Sequence, residues 1–289
     1  MYEKHFKLST KPFSLSPDPT FLYLGKRHSQ AYAMLDYSIK EHVGFAVVTG
    51  EVGAGKTTLI RKLLSELDDT DNVALISHTH QNMTQLIPSV LEAFCVVADE
   101  FPDEESLQYR FFVDFLISQY TKGRRSILII DEAQNLSIGG LEQLRLLSNV
   151  NVDGHLLLQT ILVGQPELRD KLKKPELHQF AQRISVDFFL PQLSQNEAIE
   201  YINHRLQVAG GHQDIFEQNA KVIIAHASKG LPRMINNLCD MALVYAFGEL
   251  KKQVDVETVF DVVRDKEESG IFPMMNLHDI QQQISQPVI

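Results

Sequence analysis

Phe45-Ala46-Val47-Val48-Thr49-Gly50-Glu51-Val52-Gly53-Ala54-Gly55-Lys56-Thr57 joins an aliphatic run to a glycine-rich turn, and helix-forming residues follow. Residues 45–49 read as a buried strand. Residues 50–57 match GxxxxGK[ST] at every fixed position, and Leu59, Leu63, Leu64 and Leu67 continue at helical spacing. Strand, glycine loop and helix in that order make a phosphate cradle. The glycines let backbone N–H groups turn toward phosphate oxygens, and the helix N-terminus adds the positive end of its dipole. Lys56 is expected to reach the β- and γ-phosphates, and Thr57 to ligate Mg²⁺.

Outward from this loop the pattern repeats. Residues 73–76, 127–130, 160–163 and 186–190 are short aliphatic or β-branched runs, with helical spacing at 27–42, 84–98, 106–121 and 137–150. Strands separated by helices predict an α/β fold with a parallel five-stranded sheet flanked by helices. After Leu190-Pro191 no further strand is expected. Ser194-Gln195-Asn196-Glu197 is a capping box opening a helix with Ile199, Ile202 and Leu206 on its apolar face, stopped by Gly210-Gly211. Further helices are expected near 216–227, 232–247 and 255–265. The domains predicted are an α/β nucleotide-binding domain over 1–192, with a Pro-rich aromatic leader at 1–26, a small all-helical lid over 193–268, and a loose tail at 269–289.

Ile127-Leu128-Ile129-Ile130-Asp131-Glu132 supplies the second chemical element. A buried strand that ends in carboxylates delivers them to the carboxyl edge of the sheet. Asp131 is the candidate Mg²⁺ ligand, through water, and Glu132 the candidate base that orients an attacking water. No guanine-specific NKxD signature is present, so adenine is the expected base.

Several stretches together resemble the AAA+ ATPases, and more narrowly the ExeA/GspA-like ATPases of general secretion, pilus biogenesis and exosortase loci. They are Pro12-Phe13 through Leu24, Thr49 to Thr58, Asp131-Glu132-Ala133-Gln134, Leu144 to Asn149, Leu162 to Leu168, and Gly230-Leu231-Pro232-Arg233. The resemblance implies ATP and Mg²⁺ as cofactors, with the loop from Gly50, Glu51, Val52, Gly53, Ala54 and Gly55 through Lys56, Thr57 and Thr58 holding the nucleotide. It implies sensor 1 at Gln165, an arginine finger acting on a neighbouring subunit at Arg183, and a lid arginine, sensor 2, at Arg233. Phe13, Leu22 and Tyr23 would lie against adenine. A finger in trans implies a homo-oligomer, and the family implies inner-membrane secretion or pilus components as partners. Longer members carry a transmembrane helix and a cell-wall domain after the ATPase module. No such segment is visible here, so the expectation is a cytoplasmic protein, at most peripheral to the inner membrane through partners. The alternative is an ATP-dependent DNA-binding regulator of transposition or replication, like TnsC and MuB. A second rival is a nucleotide-dependent scaffold with little turnover.

Composition bears on these choices. The chain has 289 residues, 44% apolar and 22% charged, enough for a sizeable core. Lys plus Arg is 27 and Asp plus Glu is 37, a net charge of −10 that disfavours bulk binding to DNA or anionic membrane. Cys95 and Cys239 are too few and too far apart for a disulfide framework or zinc site, and read as buried free thiols. His78-Thr79-His80 lacks further ligands, so no metal is assigned to it. Arg124-Arg125 and the cluster Arg169, Lys171, Lys173 and Lys174 read as solvated faces.

Overall fold

The computed structural model describes residues 1–68, 70–77, 86–96 and 104–269. His78, His80 and residues 270–289 of the expected tail lie outside them. The described residues form two compact units: 29–52 with 62–190, and 1–28 with 53–61 and the chain from Pro191 onward.

The first unit is the α/β one. Its strands are β1 Phe45–Gly50, β2 Asn72–Ile76, β3 Ser126–Ile130, β4 Asn151–Val152, β5 His155–Leu156, β6 Leu158–Gly164 and β7 Ile184–Leu190. Five of them make one sheet in the order β2-β3-β6-β1-β7, every pair parallel. β1, β3 and β6 are buried at every residue, whereas the edge strands β2 and β7 are only partly buried. That is why the central strands read as unbroken aliphatic runs and β7 alternates. Phe45, Val47, Leu128, Ile130, Leu158 and Leu162 point to one face, where they share a core with Leu91, Phe112, Leu144 and Phe180. The alternate residues Ala46, Val48, Ile127, Ile129, Ile161 and Val163 are equally buried on the other face. β4 and β5 form a separate antiparallel hairpin.

The helices are α1 Lys26–Lys40, α2 Lys56–Leu64, α3 Leu86–Ala93, α4 Glu105–Thr121, α5 Ile138–Leu147, α6 Pro166–Leu172 and α7 His178–Ala181, followed by α8 Gln195–Val208, α9 Gln218–Ala227, α10 Pro232–Gly248 and α11 Val256–Ser269. Ser137 caps α5 through Gly140 N–H at 3.0 Å, and Pro166 and Pro232 stand in the first turns of α6 and α10. Among the described residues no helix is long and apolar enough to cross a membrane.

The second unit is helical. The capping box forms as expected, with Ser194 and Glu197 exchanging bonds at the start of α8. The buried face of α8 is Ala198, Tyr201, Ile202, Arg205 and Leu206, and Ile199 is only half-buried. After Leu190 no strand forms among the described residues; a single parallel bridge joins Phe216 to Val254.

Two expectations need correction here. The leader, assigned to the α/β domain, packs instead with the helical unit. Tyr2, Phe6, Leu8, Phe13 and Phe21 share one core with Ile202, Leu206, Phe216 and Leu243. Arg205 holds it there: the guanidinium donates to Pro12 O and Ser14 O and lies 4.7 Å from the centre of the Phe21 ring. The leader's apolar rings need a core, and that core lies nearly two hundred residues away in sequence. The second correction concerns the thiols: Cys239 is buried, but Cys95 is exposed. It follows α3 with φ 57°, at a turn closed by Val96 N–H to Leu91 O, which aims its side chain outward.

Candidate active site

β1 ends at Gly50 and α2 begins at Lys56, so the loop between them sits on a helix N-terminus. Gly53 and Gly55 have φ of 82° and 97°. Gly53 is required twice over. Its φ disfavours any side chain, and a Cβ there would come within 2.6 Å of Arg233 Cβ. Arg233 stands exposed in the first turn of α10, and its backbone N–H donates to Gly53 O at 3.2 Å. Arg233 thus packs against the glycine loop of its own chain. Ala54 and Lys56 are buried, the lysine at 6% exposure, while Val52 is exposed.

A residue the sequence did not flag supports this loop. His28 is 3% exposed, with Nε2 3.0 Å from Ala54 O and a would-be Cβ on Gly55 at 3.4 Å. Burial pushes its pKa below the usual imidazole value.

In the α/β unit, the carboxyl ends of β3, β6 and β1 bring Asp131, Gln165 and Gly50 to one edge. The register Thr49↔Gly164 and Ile130↔Leu162 sets them side by side. In open parallel sheets this edge is where ligands bind. Asp131 is buried, and Asp131 Oδ1 accepts the N–H of Glu132 at 2.9 Å. Glu132 itself adopts a left-handed backbone, φ 54° and ψ 37°, a strained state for a non-glycine residue of the sort that gathers at functional sites.

The Glu132 carboxylate is held by amides. Gln165 Nε2 donates to Oε2 at 3.0 Å, and Gln134 Nε2 donates to the same oxygen. Gln134 Oε1 in turn accepts from Gln165 N–H at 3.0 Å. Gln165 occupies the N-cap position of α6 without capping it, because its side chain is turned to Glu132. Gln134 was visible only as part of the Asp131–Gln134 motif, with no role attached. Lys171, read from sequence as solvated, is half-buried and donates to Gln134 O and Leu136 O. Burial lowers its pKa, and Lys174 adds to the effect. Arg169 of the same cluster is also engaged, with Asp187 and Thr49.

The remaining expected site residues fall elsewhere. Arg183 precedes β7, at the amino edge of the sheet. A seven-residue strand at about 3.3 Å per residue puts it roughly 20 Å from the carboxyl edge. Its guanidinium bonds Asn149 Oδ1, Ser148 Oγ and Arg145 O, at the C-terminal end of α5. Phe13, expected against adenine, is 1% exposed and meets Phe216 edge-on at 5.9 Å, a core position. Leu22 and Tyr23 are half-buried. The Tyr23 hydroxyl bonds Glu200, and its ring meets Tyr201 at 6.2 Å. Burial and that carboxylate push the Tyr23 pKa up.

The donor chemistry fits MgATP. Thr57 and Asp131 offer the hard oxygens Mg²⁺ takes, and among the described residues no cluster of three His, Cys, Asp or Glu could hold a metal alone. Magnesium ions that arrive with nucleotide phosphates need only one or two protein oxygens.

A parallel sheet with a phosphate loop at its carboxyl edge and a helical unit after it defines an AAA ATPase. Residues 39–172 match the family described as AAA domain. Within that class the chain is similar to General secretion pathway protein A of Aeromonas hydrophila. The identity is 42% over 247 residues, 86% of this chain and 45% of that one, so the chain spans under half the relative's length. Among solved structures, the ORC2 protein of Aeropyrum pernix in its ADPNP–ADP complexes aligns with a TM-score of 0.66 at 15% identity. It covers 94% of this chain and 74% of its own. Cdc6p of Pyrobaculum aerophilum gives 0.67 at 18% identity, with 88% and 70% covered. These last two likenesses bear on fold alone.

Proposed function

We propose that the chain binds and hydrolyses MgATP and couples nucleotide state to assembly of a secretion, pilus or export machine. Lys56 neutralises the β- and γ-phosphates, loop N–H groups cradle them, and Thr57 and Asp131 are the protein's oxygens for Mg²⁺. Glu132 orients the attacking water and draws its proton, with Gln165 as the polar partner at the same edge. Arg233 serves its own chain's nucleotide and Arg183 a neighbour's, within a homo-oligomer. The secretion role is supported by the likeness to General secretion pathway protein A. A cytoplasmic location, with inner-membrane components as partners, follows from that role.

The observation that carries the hydrolysis reading is the Glu132 carboxylate, strained in backbone and fixed by two amide donors where β3 and β6 end. Glu132→Gln keeps size and hydrogen bonding but cannot take a proton. The expected result is unchanged MgATP affinity, with steady-state phosphate release reduced roughly 10²-fold or more, as for a lost general base. Wild-type turnover in this variant would reduce Glu132 to a structural acid. Wild-type turnover too low to measure at any protein concentration would favour a nucleotide-dependent scaffold.

A further inference from the structure

α6 meets the Glu132 turn from both of its ends. Its seven residues, Pro166–Leu172, span about 10 Å. Gln165, at its N-cap, bonds the Glu132 carboxylate and the Gln134 side chain. Lys171, in its last turn, reaches the main chain beyond. The ammonium donates to Gln134 O and, at 2.6 Å, to Leu136 O. These carbonyls lie on either side of Asn135, where the 3₁₀ turn Ala133–Asn135 after Glu132 ends.

The neighbouring cations behave differently. Arg169 pairs with Asp187 and Lys173 with Asp170. Lys171 is half-buried, and its bonds go to neutral carbonyls. An ammonium placed there costs free energy that an apolar side chain would not, and burial already lowers its pKa. The space beside it is shaped around the Gln134 amide. A Cβ on Gly164, where β6 ends, would stand 3.0 Å from Gln134 Oε1 and 2.8 Å from Leu168 Cδ2. Ala133, Leu136 and Leu168 are all at 1% exposure or less, in one core. Gln134 is therefore fixed twice, its side chain by Glu132 and Gln165 and its main chain by Lys171. A left-handed backbone such as that of Glu132 persists only where its surroundings over-determine it.

We propose that Lys171 is a positioning residue for ATP hydrolysis: by pinning the main chain at Gln134 and Leu136 it holds the Gln134 amide on Glu132, and so aims the carboxylate at its water. Lys171 acts through Gln134 and does not itself meet the reacting atoms. The proposal rests on the reading of Glu132 as the base. Displacing a catalytic group by about 1 Å can cost roughly 10²-fold in rate. Loss of the tether should therefore appear in kcat and leave nucleotide affinity alone.

The test is single-turnover and steady-state ATP hydrolysis by the full chain, with MgATP affinity and melting temperature measured alongside. Lys171→Met keeps the length of the side chain and removes its donors. Its kcat should fall about tenfold or more, with MgATP affinity and melting temperature close to wild type. Lys171→Arg keeps N–H donors for the carbonyls and should recover part of that loss. Gln134→Met removes the amide itself and should lower kcat at least as far. Lys173→Met, at the exposed C-cap of the same helix, should leave kcat unchanged. A double variant separates positioning from general structure. In a Glu132→Gln background, Lys171→Met should cause no further loss, because the group it positions is gone. The same fold-loss with and without the Glu132 carboxylate would make Lys171 a structural residue and overturn the proposal. So would wild-type kcat in Lys171→Met, or a loss that lies in MgATP affinity or melting temperature instead. Wild-type turnover in Glu132→Gln alone would remove the reading of Glu132 as base, and this proposal with it.

Discussion

His28 works through one hydrogen bond and one missing partner. Ala54 O can only accept, so Nε2 carries the hydrogen, and the buried Nδ1 has no partner among the described residues. Protonation would add an N–H at Nδ1 where nothing accepts it. Burial therefore lowers the pKa, with Glu197 pulling slightly the other way. The sign follows from linkage. An unfolded histidine titrates near its model value of 6.5, and the folded one titrates lower. Between the two values unfolding takes up a proton, so the contribution is complete above the unfolded pKa and is lost as pH falls through the folded one. His28→Gln keeps an N–H for Ala54 O and cannot titrate in this range. Its melting temperature should fall less than that of the wild type between about pH 7.5 and about pH 5.5. Equal falls in both proteins would mean that His28 does not couple protons to folding. No reading of the chain could have found this residue, because its partner lies 26 positions away and a lone histidine in a helix carries no pattern.

At the scale of elements, the leader is where sequence and structure part. Its aromatic content marked it as packed rather than free, but composition does not say against what. The structure puts Phe13 beside Phe216 in the helical core. Phe13→Ala should then act on stability. The expected loss is about 3–5 kcal/mol in chemical denaturation, with nucleotide affinity nearly unchanged under conditions where the variant stays folded. A selective loss of ATP affinity at wild-type stability would return Phe13 to the adenine site. β1 and β3 are plain in the sequence because both their faces are covered and their residues are mostly aliphatic. β6 is just as buried but reads only at 160–163, because Gln159 breaks its aliphatic run. β7 was read two residues short, since its start at Ile184 and Ser185 is half-buried and exposed. The β4–β5 hairpin was missed because two residues show no period, although Asp153-Gly154, at φ of 52° and 82°, is the turn such hairpins prefer. The phosphate loop and Asp131-Glu132 were legible as contiguous motifs. Gln134 and Lys171 were not, because their partners come from other segments.

For the whole molecule, the two arginines proposed for γ-phosphate would act on different subunits, one on its own chain's nucleotide and one on a neighbour's. Arg233 touches the loop of its own chain through Gly53, so a subunit lacking it cannot be repaired by a neighbour. Arg183 lies at the wrong edge of its own sheet, and an arginine side chain cannot span roughly 20 Å. Its present bonds to Asn149 and Arg145 must also break before it can meet a phosphate, a modest cost if docking against a second subunit supplies new partners. Arg183→Ala and Glu132→Gln subunits should each be nearly inactive alone. Mixed in equal amounts, about a quarter of the interfaces in a ring join an intact Glu132 to an intact Arg183, so part of the activity should return. Arg233→Ala mixed with Glu132→Gln should stay inactive, since every site then lacks a group from its own chain. Recovery in the second mixture without recovery in the first would exchange the two roles. Turnover per subunit that does not change as the wild-type protein is diluted through its assembly range would remove the trans arginine altogether, leaving Arg183 as the cap of α5 that its bonds already make it.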